Sequence, residues 1–483
     1  MDDHQTEAQQ KIEALRHVRK PLPGNGQVVV LDTGAIINAE EEAMLQALHS
    51  RSLGGIDAHL LKLAKKGAAD FMDLYYVKYG DKSIGDGGTT TIFIEGVSML
   101  VAKAIQDSQL YNGQESSTRY INFETQPFAD PHDSAEGKAL LESLRAFHLK
   151  GVAIMKEELA RQHPWDPTIQ WGLSAEDNTE KVWQKAINAR AFDIMRAFLP
   201  AGAATNLAWH TELRHANDHL LRLRHHPLEE VRVVAEAIGE ALAAKYPHSS
   251  FSKRYPASEE YVSEWMRRMY YFNEKPGSRG SNTKRGGVCL DRSTIEPAML
   301  KAYGDLLALR PFKTELPKFM AECGTMQFSF LLDYGSYRDL QRQRSIIQRM
   351  PLLTDKHGFE EWYLAQLPEG LRKEAVLFLA RYSNGLGKLG LSPLLEQYYV
   401  PMGYRVTCRA TGDLPALAFV VELRSGITVH PTLRVVAQDI GGLMLEQLEG
   451  TGFKLHLDTS PDAFNMKRGT QDIVEKAPSL QVH

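Results

Sequence analysis

The sequence predicts an α/β protein, of the mixed α+β kind rather than doubly wound, built as two tandem units that each set a small sheet against long helices. Three observations lead there. Short β-branched runs bounded by glycine, such as Thr89-Thr-Thr-Ile-Phe-Ile-Glu95, alternate with long amphipathic stretches, so helix should exceed strand. No Gly-x-Gly-x-x-Gly follows a strand, so the dinucleotide fingerprint of a doubly wound sheet is missing. The third observation is repetition. Gly324-Thr-Met-Gln-Phe-Ser-Phe-Leu-Leu-Asp-Tyr-Gly-Ser336 echoes Gly88-Thr-Thr-Thr-Ile-Phe-Ile-Glu-Gly-Val-Ser98, and Val400-Pro-Met-Gly403 echoes Leu199-Pro-Ala-Gly202. Arg292-Ser-Thr-Ile-Glu echoes the stretch from Arg51, and His430-Pro-Thr-Leu-Arg-Val-Val-Ala echoes His226-Pro-Leu-Glu-Glu-Val-Arg-Val-Val-Ala. Echoes in one order argue for an internal duplication. The interval from Gly-Thr to His-Pro is longer in the first copy, which places an insertion within 124–180.

In chain order, residues 1–25 read as a short amphipathic helix ending at Pro21, and Val28-Val-Val-Leu-Asp reads as a strand. Residues 39–49 and 55–66 read as helices separated by Gly54-Gly55. Gly85 to Gly88 form a glycine-rich turn before the strand 89–95, and Ser98 stands as N-cap to the run Met-Leu-Val-Ala-Lys-Ala-Ile. Residues 124–135 form a polar, proline-bearing loop. Long helices follow over 134–161 and 180–198, and the whole of 205–246 reads as helical with basic groups. Residues 273–287 have the composition of a flexible basic linker. The expected division is therefore a first unit over 1–272, a linker over 273–287, a second unit over 288–467 and a loose tail over 468–483.

Composition narrows the function classes. Fifty-six Lys and Arg against 60 Asp and Glu give a formal net charge of −4, so no general affinity for nucleic acid is expected. The three cysteines, Cys289, Cys323 and Cys408, are far apart and lack metal spacing, which reads as reduced thiols in a cytoplasmic protein. No apolar run approaches the ~20 residues of a membrane span, and the acidic N-terminus lacks a signal-peptide h-region. No metal is expected either, because His225-His226 is adjacent rather than spaced along a helix face.

The chemistry-bearing stretch runs from Glu115 to Tyr120, with a carboxylate, hydroxyls and Arg119 in six residues. Such a segment suits a phosphate monoester, since Arg offers paired donors and Ser or Thr add short neutral ones. Taken alone it more often marks a polar loop with an internal ion pair.

These residues resemble the flavin-dependent thymidylate synthase family (ThyX), whose members read Gly-His-x-Ser-x-x-Glu-His, then Arg-His-Arg, seven residues, and Ser-x-Arg-Tyr. Gly80-Asp81-Lys82-Ser83 and Asp86 stand at the first motif, while Glu115, Ser117, Arg119 and Tyr120 match the last. The Arg-His-Arg position holds Asp107-Ser108-Gln109 in the first copy and Arg342-Gln343-Arg344 in the second. Arg214 and His219 fall near an Arg and a His of a second family block.

The resemblance implies FAD as cofactor, NADPH and methylenetetrahydrofolate as co-substrates, and dUMP as the methylated pyrimidine nucleotide, with no covalent protein nucleophile. It implies that Glu115, Ser117, Arg119 and Tyr120 bind substrate, and that Ser83, Asp86, Arg214, His219, Arg342, Gln343 and Arg344 bind cofactor. Family members share sites between subunits, so the tandem chain is expected to form a homodimer equivalent to a tetramer, with a nucleotide clamp from the first copy and flavin contacts from the second. A flavin enzyme acting on another pyrimidine nucleotide, or a flavin- or nucleotide-binding protein without catalysis, stays open beside it.

Overall fold

The computed structural model describes residues 17–31, 37–51, 59, 62–63, 65–78, 81–118, 121–168, 178–272, 284–285 and 287–464. By packing they fall into two compact units. The first takes described residues within Met1–Pro131, Ala201–Phe272 and Ser392–Tyr398; the second takes those within His132–Pro200, Asn273–Leu391 and Tyr399–His483.

The first unit is built on five antiparallel strands. In chain order they are β1 (His17–Pro21), β2 (Gln27–Leu31), β3 (Thr89–Ser98), β4 (Asn112–Glu115) and β5 (Ala204–Glu212), and in space they run β1-β2-β3-β5-β4. β1 and β2 are joined through Pro23–Asn25, where Gly24 takes the left-handed conformation (φ 74°) that favours glycine. Period-two alternation sends Thr90, Ile92 and Ile94 of β3 to the covered face, with Val28 and Val30 of β2 beside them, all fully buried. Each of the isoleucines and valines contributes about 1.5–3 kcal/mol by leaving water. A bulge between Ile94 and Val97, with Gly96 at φ 67°, re-aims the end of β3 toward the next helix. There the Ser98 hydroxyl caps the wholly buried helix Met99–Gln106 by accepting from the Val101 N–H at 3.2 Å. The helix Glu229–Lys245 packs on β1 and β2.

The second unit repeats this plan. Its strands β6 (Lys284–Arg285), β7 (Val288–Ser293), β8 (Thr325–Asp333), β9 (Ile347–Arg349) and β10 (Arg405–Asp413) run β6-β7-β8-β10-β9, the same order by rank and again antiparallel throughout. A helix follows the third strand (Tyr334–Gln341), another starts one residue after the last strand (Leu414–Arg424), and a third is Pro431–Gln447. The long helices Ala135–Gln162, Glu180–Met195 and Glu369–Lys388 also pack in this unit. Phe147 stacks on Phe378 with centroids 4.5 Å apart, and Lys150 pairs with Glu374 at 2.7 Å.

One corner carries the same chemistry in both units with its partners exchanged. In the first, Ser98 at the strand end donates its hydroxyl to Glu230 at 2.6 Å, the second residue of the helix Glu229–Lys245. In the second, Asp333 holds the strand end and accepts at 2.6 Å from the hydroxyl of Thr432, the second residue of Pro431–Gln447. Burial pushes both carboxyls up from their ordinary range.

The mixed α+β class and the two-sheet plan agree with the sequence reading. Three local expectations do not. His17–Pro21 is strand β1 rather than the end of a helix, and residues 1–16 lie outside the described residues. The stretch read as one helix over 205–246 begins as β5, where buried Leu207, Trp209 and Thr211 alternate with half-buried or exposed neighbours at the period of a strand. In the second copy the residue equivalent to Ser98 is Asp333 and not Ser336. Ser98 lies opposite Ala204 and Asp333 opposite Arg405, and Asp333 caps its helix by accepting from the Ser336 N–H at 2.8 Å. Of the stretch read as a linker, 284–285 form β6 and 273–283 lie outside the described residues, as does the C-terminal stretch from 465.

Candidate functional site

A cleft of about 130 Å³ opens in the first unit where β5 passes into the helix Leu213–Leu223. The helix is strongly two-faced: Leu213, Ala216, Leu220 and Leu223 are buried, while Arg214, His215, Asp218 and Arg222 line the cleft from successive turns. Trp209 and Thr211 of β5 form its floor, and Ser108, just past the helix Met99–Gln106, forms part of its rim.

Asp86 reaches the edge of this cleft from a 3₁₀ turn, Lys82–Gly87, which Asp81 caps by accepting from the Ser83 N–H at 3.2 Å. Packing is tight there: a β-carbon on Gly85 would lie 2.7 Å from the Tyr76 hydroxyl oxygen, so only glycine lets the turn close over that ring. Asp86 accepts a hydrogen bond from Arg214 Nε, a contact that raises the guanidinium above its ordinary value. Arg214 also lies 3.1 Å from His215 Nε2, and His215 in turn contacts Glu212. Lys82 sits 3.7 Å from Asp218. Arg222 donates to the Ser108 hydroxyl at 3.4 Å, and burial lowers its guanidinium from the usual value while Asp107 and Asp218 oppose that. His219 is buried, its Nε2 lies 2.9 Å from the Ile105 carbonyl, and burial pushes its pKa down to about 3, so the ring is neutral.

Ligand atoms of Asp86, Glu212 and His215 lie within 4.8 Å of one another, the donor set of a divalent cation. Arg214 brings its own positive charge to Asp86 and His215, which opposes a second cation there.

Of the residues singled out in the sequence, the fold brings Asp86, Arg214 and His219 together from segments more than a hundred residues apart. Ser83 is exposed and spends its hydroxyl proton on Asp81 at 2.6 Å. Glu115 ends β4 and accepts from the buried Gln106 amide at 2.8 Å; Ser117 is half-buried just beyond. Arg119 and Tyr120 lie outside the described residues. In the second unit Arg342 and Arg344 are exposed, with Arg342 Nε 4.0 Å from Asp339, while Gln343 is buried with its side-chain amide beside Arg424. Arg342 is the C-cap of its helix as Asp107 is of the equivalent one, so the replaced motif falls at one structural position in both copies.

His215 and Asp218 escaped the sequence reading, and Arg222 entered it only as one of several basic groups. The signal was present: Arg214, Asp218 and Arg222 recur every four residues, one face of a helix. It was hidden because the strand before them was taken as part of the same helix.

Residues 38–248 match the family profile described as thymidylate synthase complementing protein, a span holding the 3₁₀ turn, β3 to β5 and the cleft helix. Over longer stretches the chain is similar to a UPF0159 protein of Chlamydia muridarum, 25% identical over 463 residues covering 81% of this chain and 85% of that one. A UPF0159 protein of Thermoplasma acidophilum is 25% identical over 431 residues, covering 77% and 85%. A third, from Chlamydia pneumoniae, is 22% identical over 411 residues, covering 77% of each. The likeness to the thymidylate synthase complementing protein family thus lies in residues 38–248, the segment that builds the cleft.

Proposed function

We propose that the protein is a flavin-dependent enzyme of the thymidylate synthase type, methylating dUMP with methylenetetrahydrofolate and NADPH. The observation that carries this reading is the cleft beside the Asp86–Arg214 pair, which lies in the segment matching the family. About 130 Å³ is the room of one planar ring and not of a whole FAD. The donor set fits such a ring: the Trp209 indole is a flat wall, Arg214 and Arg222 offer donors, and His219 keeps a buried nitrogen without a hydrogen-bond partner among the described residues. When bound, the flavin would supply the redox step of the methylation.

The chain's own residues would orient the ring and hold charge. Arg214 stays protonated under the influence of Asp86 and can stabilise negative charge developing on a carbonyl oxygen. Neutral His219 adds no charge to that wall. In the same reading Glu115, Ser117, Arg119 and Tyr120 hold the nucleotide, and Ser83, Arg342, Gln343 and Arg344 contribute to the cofactor.

A second reading, binding without catalysis, is favoured by one feature. Asp107-Ser108-Gln109 places no guanidinium at the C-terminus of the helix Met99–Gln106, where the family carries two. The test is the absorbance spectrum of purified protein with FAD, before and after dUMP, followed by a dTMP assay with methylenetetrahydrofolate and NADPH. A flavin spectrum that shifts with dUMP, together with dTMP formation, supports the enzyme. A shift without dTMP supports the binding protein, and no flavin uptake removes the enzyme and leaves binding without catalysis.

A further inference from the structure

The helix Pro431–Gln447 of the second unit carries a strap: residues 454–462 have no regular secondary structure and are held along it by side chains. Leu457 rests against Gly441, where a β-carbon would lie 2.7 Å from its Cδ1. Gln438 donates to the Asp458 carbonyl at 2.7 Å, and Arg434 Nη2 donates to the Ser460 carbonyl at 2.8 Å. The helix from Gly441 back to Arg434 is about 10 Å long, and the strap covers it between Leu457 and Ser460, which is the pitch of an extended chain.

The first unit has the same helix face, and among the described residues no strap lies on it. Counted from the paired corner residues Glu230 and Thr432, Arg232 stands at the position of Arg434, Glu236 at that of Gln438 and Gly239 at that of Gly441. Arg232 spends Nη1 on the His226 and Pro227 carbonyls, both at 2.9 Å, and its Nη2 makes no hydrogen bond among the described residues. A β-carbon on Gly239 would meet nothing within 4 Å. A groove of about 620 Å³ lies over Arg232 and Glu236, lined also by Val233 and by Lys20 of β1, and it shares no lining residue with the cleft. Charge says what fits it. Glu229, Glu236 and Glu240 line the groove and are exposed, whereas their counterparts in the second copy, Pro431, Gln438 and Gly442, carry no charge. Lys20 is 3.3 Å from Glu240 and Arg254 is 3.0 Å from Glu236, exposed pairs that exchange readily for the cation of a ligand. Where Gln438 donates to a strap carbonyl, the Glu236 carboxylate can only accept, so a segment seated here must bring a donor at that level.

We propose that this face of the first unit is a docking groove for an extended, basic segment of a partner protein. An apolar side chain of the segment enters the notch at Gly239, one of its backbone carbonyls accepts from Arg232, and its Lys or Arg side chains pair with Glu229, Glu236 and Glu240. The second unit fills the equivalent groove with its own chain, so the docking face is open once per molecule.

The experiment is fluorescence anisotropy on the full chain with three labelled peptides: the strap sequence 454–462, the same sequence with both aspartates replaced by arginine, and a scramble of that arginine peptide. The arginine peptide should bind at least about tenfold tighter than either of the others. Glu236→Gln, which copies the second unit, should weaken it by about fivefold, and Gly239→Leu, whose side chain fills the notch, by about tenfold. Equal affinity for the arginine peptide and its scramble is charge attraction alone and overturns the proposal. Binding unchanged in both variants overturns it too, because the peptide then sits elsewhere, the groove of the second unit included. So does failure of all three peptides to bind. Peptide binding is read without flavin or nucleotide, so each of these results leaves the proposed function as it stands.

Discussion

Asp86 and Arg214, 128 residues apart, form an ion pair at the cleft of the first unit, the carboxylate from a 3₁₀ turn and the guanidinium from the first turn of a helix. Their side chains are 38% and 32% exposed, so solvent screens the pair and its removal should cost under about 1 kcal/mol of stability. Its effect on binding is expected to be larger. Arg214→Ala should weaken FAD binding by about tenfold or more, read by titration of flavin fluorescence, because a charge-assisted donor is lost. Unchanged affinity for both FAD and dUMP would remove Arg214 from the site.

Acid should destabilise the fold through its buried imidazoles. Burial lowers His219 to about 3 and His148 to about 4, against ~6.5 in the unfolded chain. Between those values the unfolded chain binds protons that the folded one refuses, so stability is complete above ~6.5 and falls as pH drops toward 4. At about 1.4 kcal/mol per pH unit, each ring should cost roughly 2–3 kcal/mol by pH 4.5. Urea unfolding at pH 7.5 and 4.5 measures the difference, and His148→Leu should reduce it. Equal midpoints at the two pH values would contradict the prediction.

Asp333→Ala should be among the most damaging changes in the second unit. It removes the acceptor of the Ser336 N–H, of Thr432 at 2.6 Å and of Tyr363 at 2.9 Å, all buried. A loss of about 3–5 kcal/mol is expected. Asp333→Asn keeps an acceptor and should lose less. Thermal unfolding of the two variants side by side settles the order.

Gly113→Ala tests the edge strand that leads to Glu115. A β-carbon there would come within 2.0 Å of the Ala208 carbonyl oxygen, a backbone atom that cannot rotate away. The β4–β5 pairing must open, at a cost of about 1–3 kcal/mol, and amide exchange should rise over 112–115 and 207–210. Protection equal to wild type would show that the sheet absorbs the methyl group.

Much of this architecture was legible in the sequence because repetition and period are local signals. The His-Pro and Gly-Thr echoes revealed the duplication, and each copy returned five strands in one order. Ser98 was legible as an N-cap because a hydroxyl before an apolar run has few other uses. What failed was the period over 205–212, where strand and helix join without a glycine or proline between them and so read as one. The site was half legible. Asp86, Arg214 and His219 came from motif position, but sequence carries no sign that Asp86 binds Arg214, or that Ile105 fixes the tautomer of His219. Nor could it tell that helices from the first half of the chain pack in the second unit, since amphipathic faces do not name their partners.

The exchanged corner bears on how the two halves can evolve. Ser98 needs the carboxylate of Glu230, and Asp333 needs the hydroxyl of Thr432. A genetic crossover between the halves that fell between strand and helix would join Asp333 to Glu230, two buried carboxylates with no hydroxyl between them, or Ser98 to Thr432 with no carboxylate at all. Either hybrid breaks a corner that each parent satisfies. Only an exchange that carries strand end and helix together leaves the corner whole, so the two halves can be made alike again in large pieces but not in small ones.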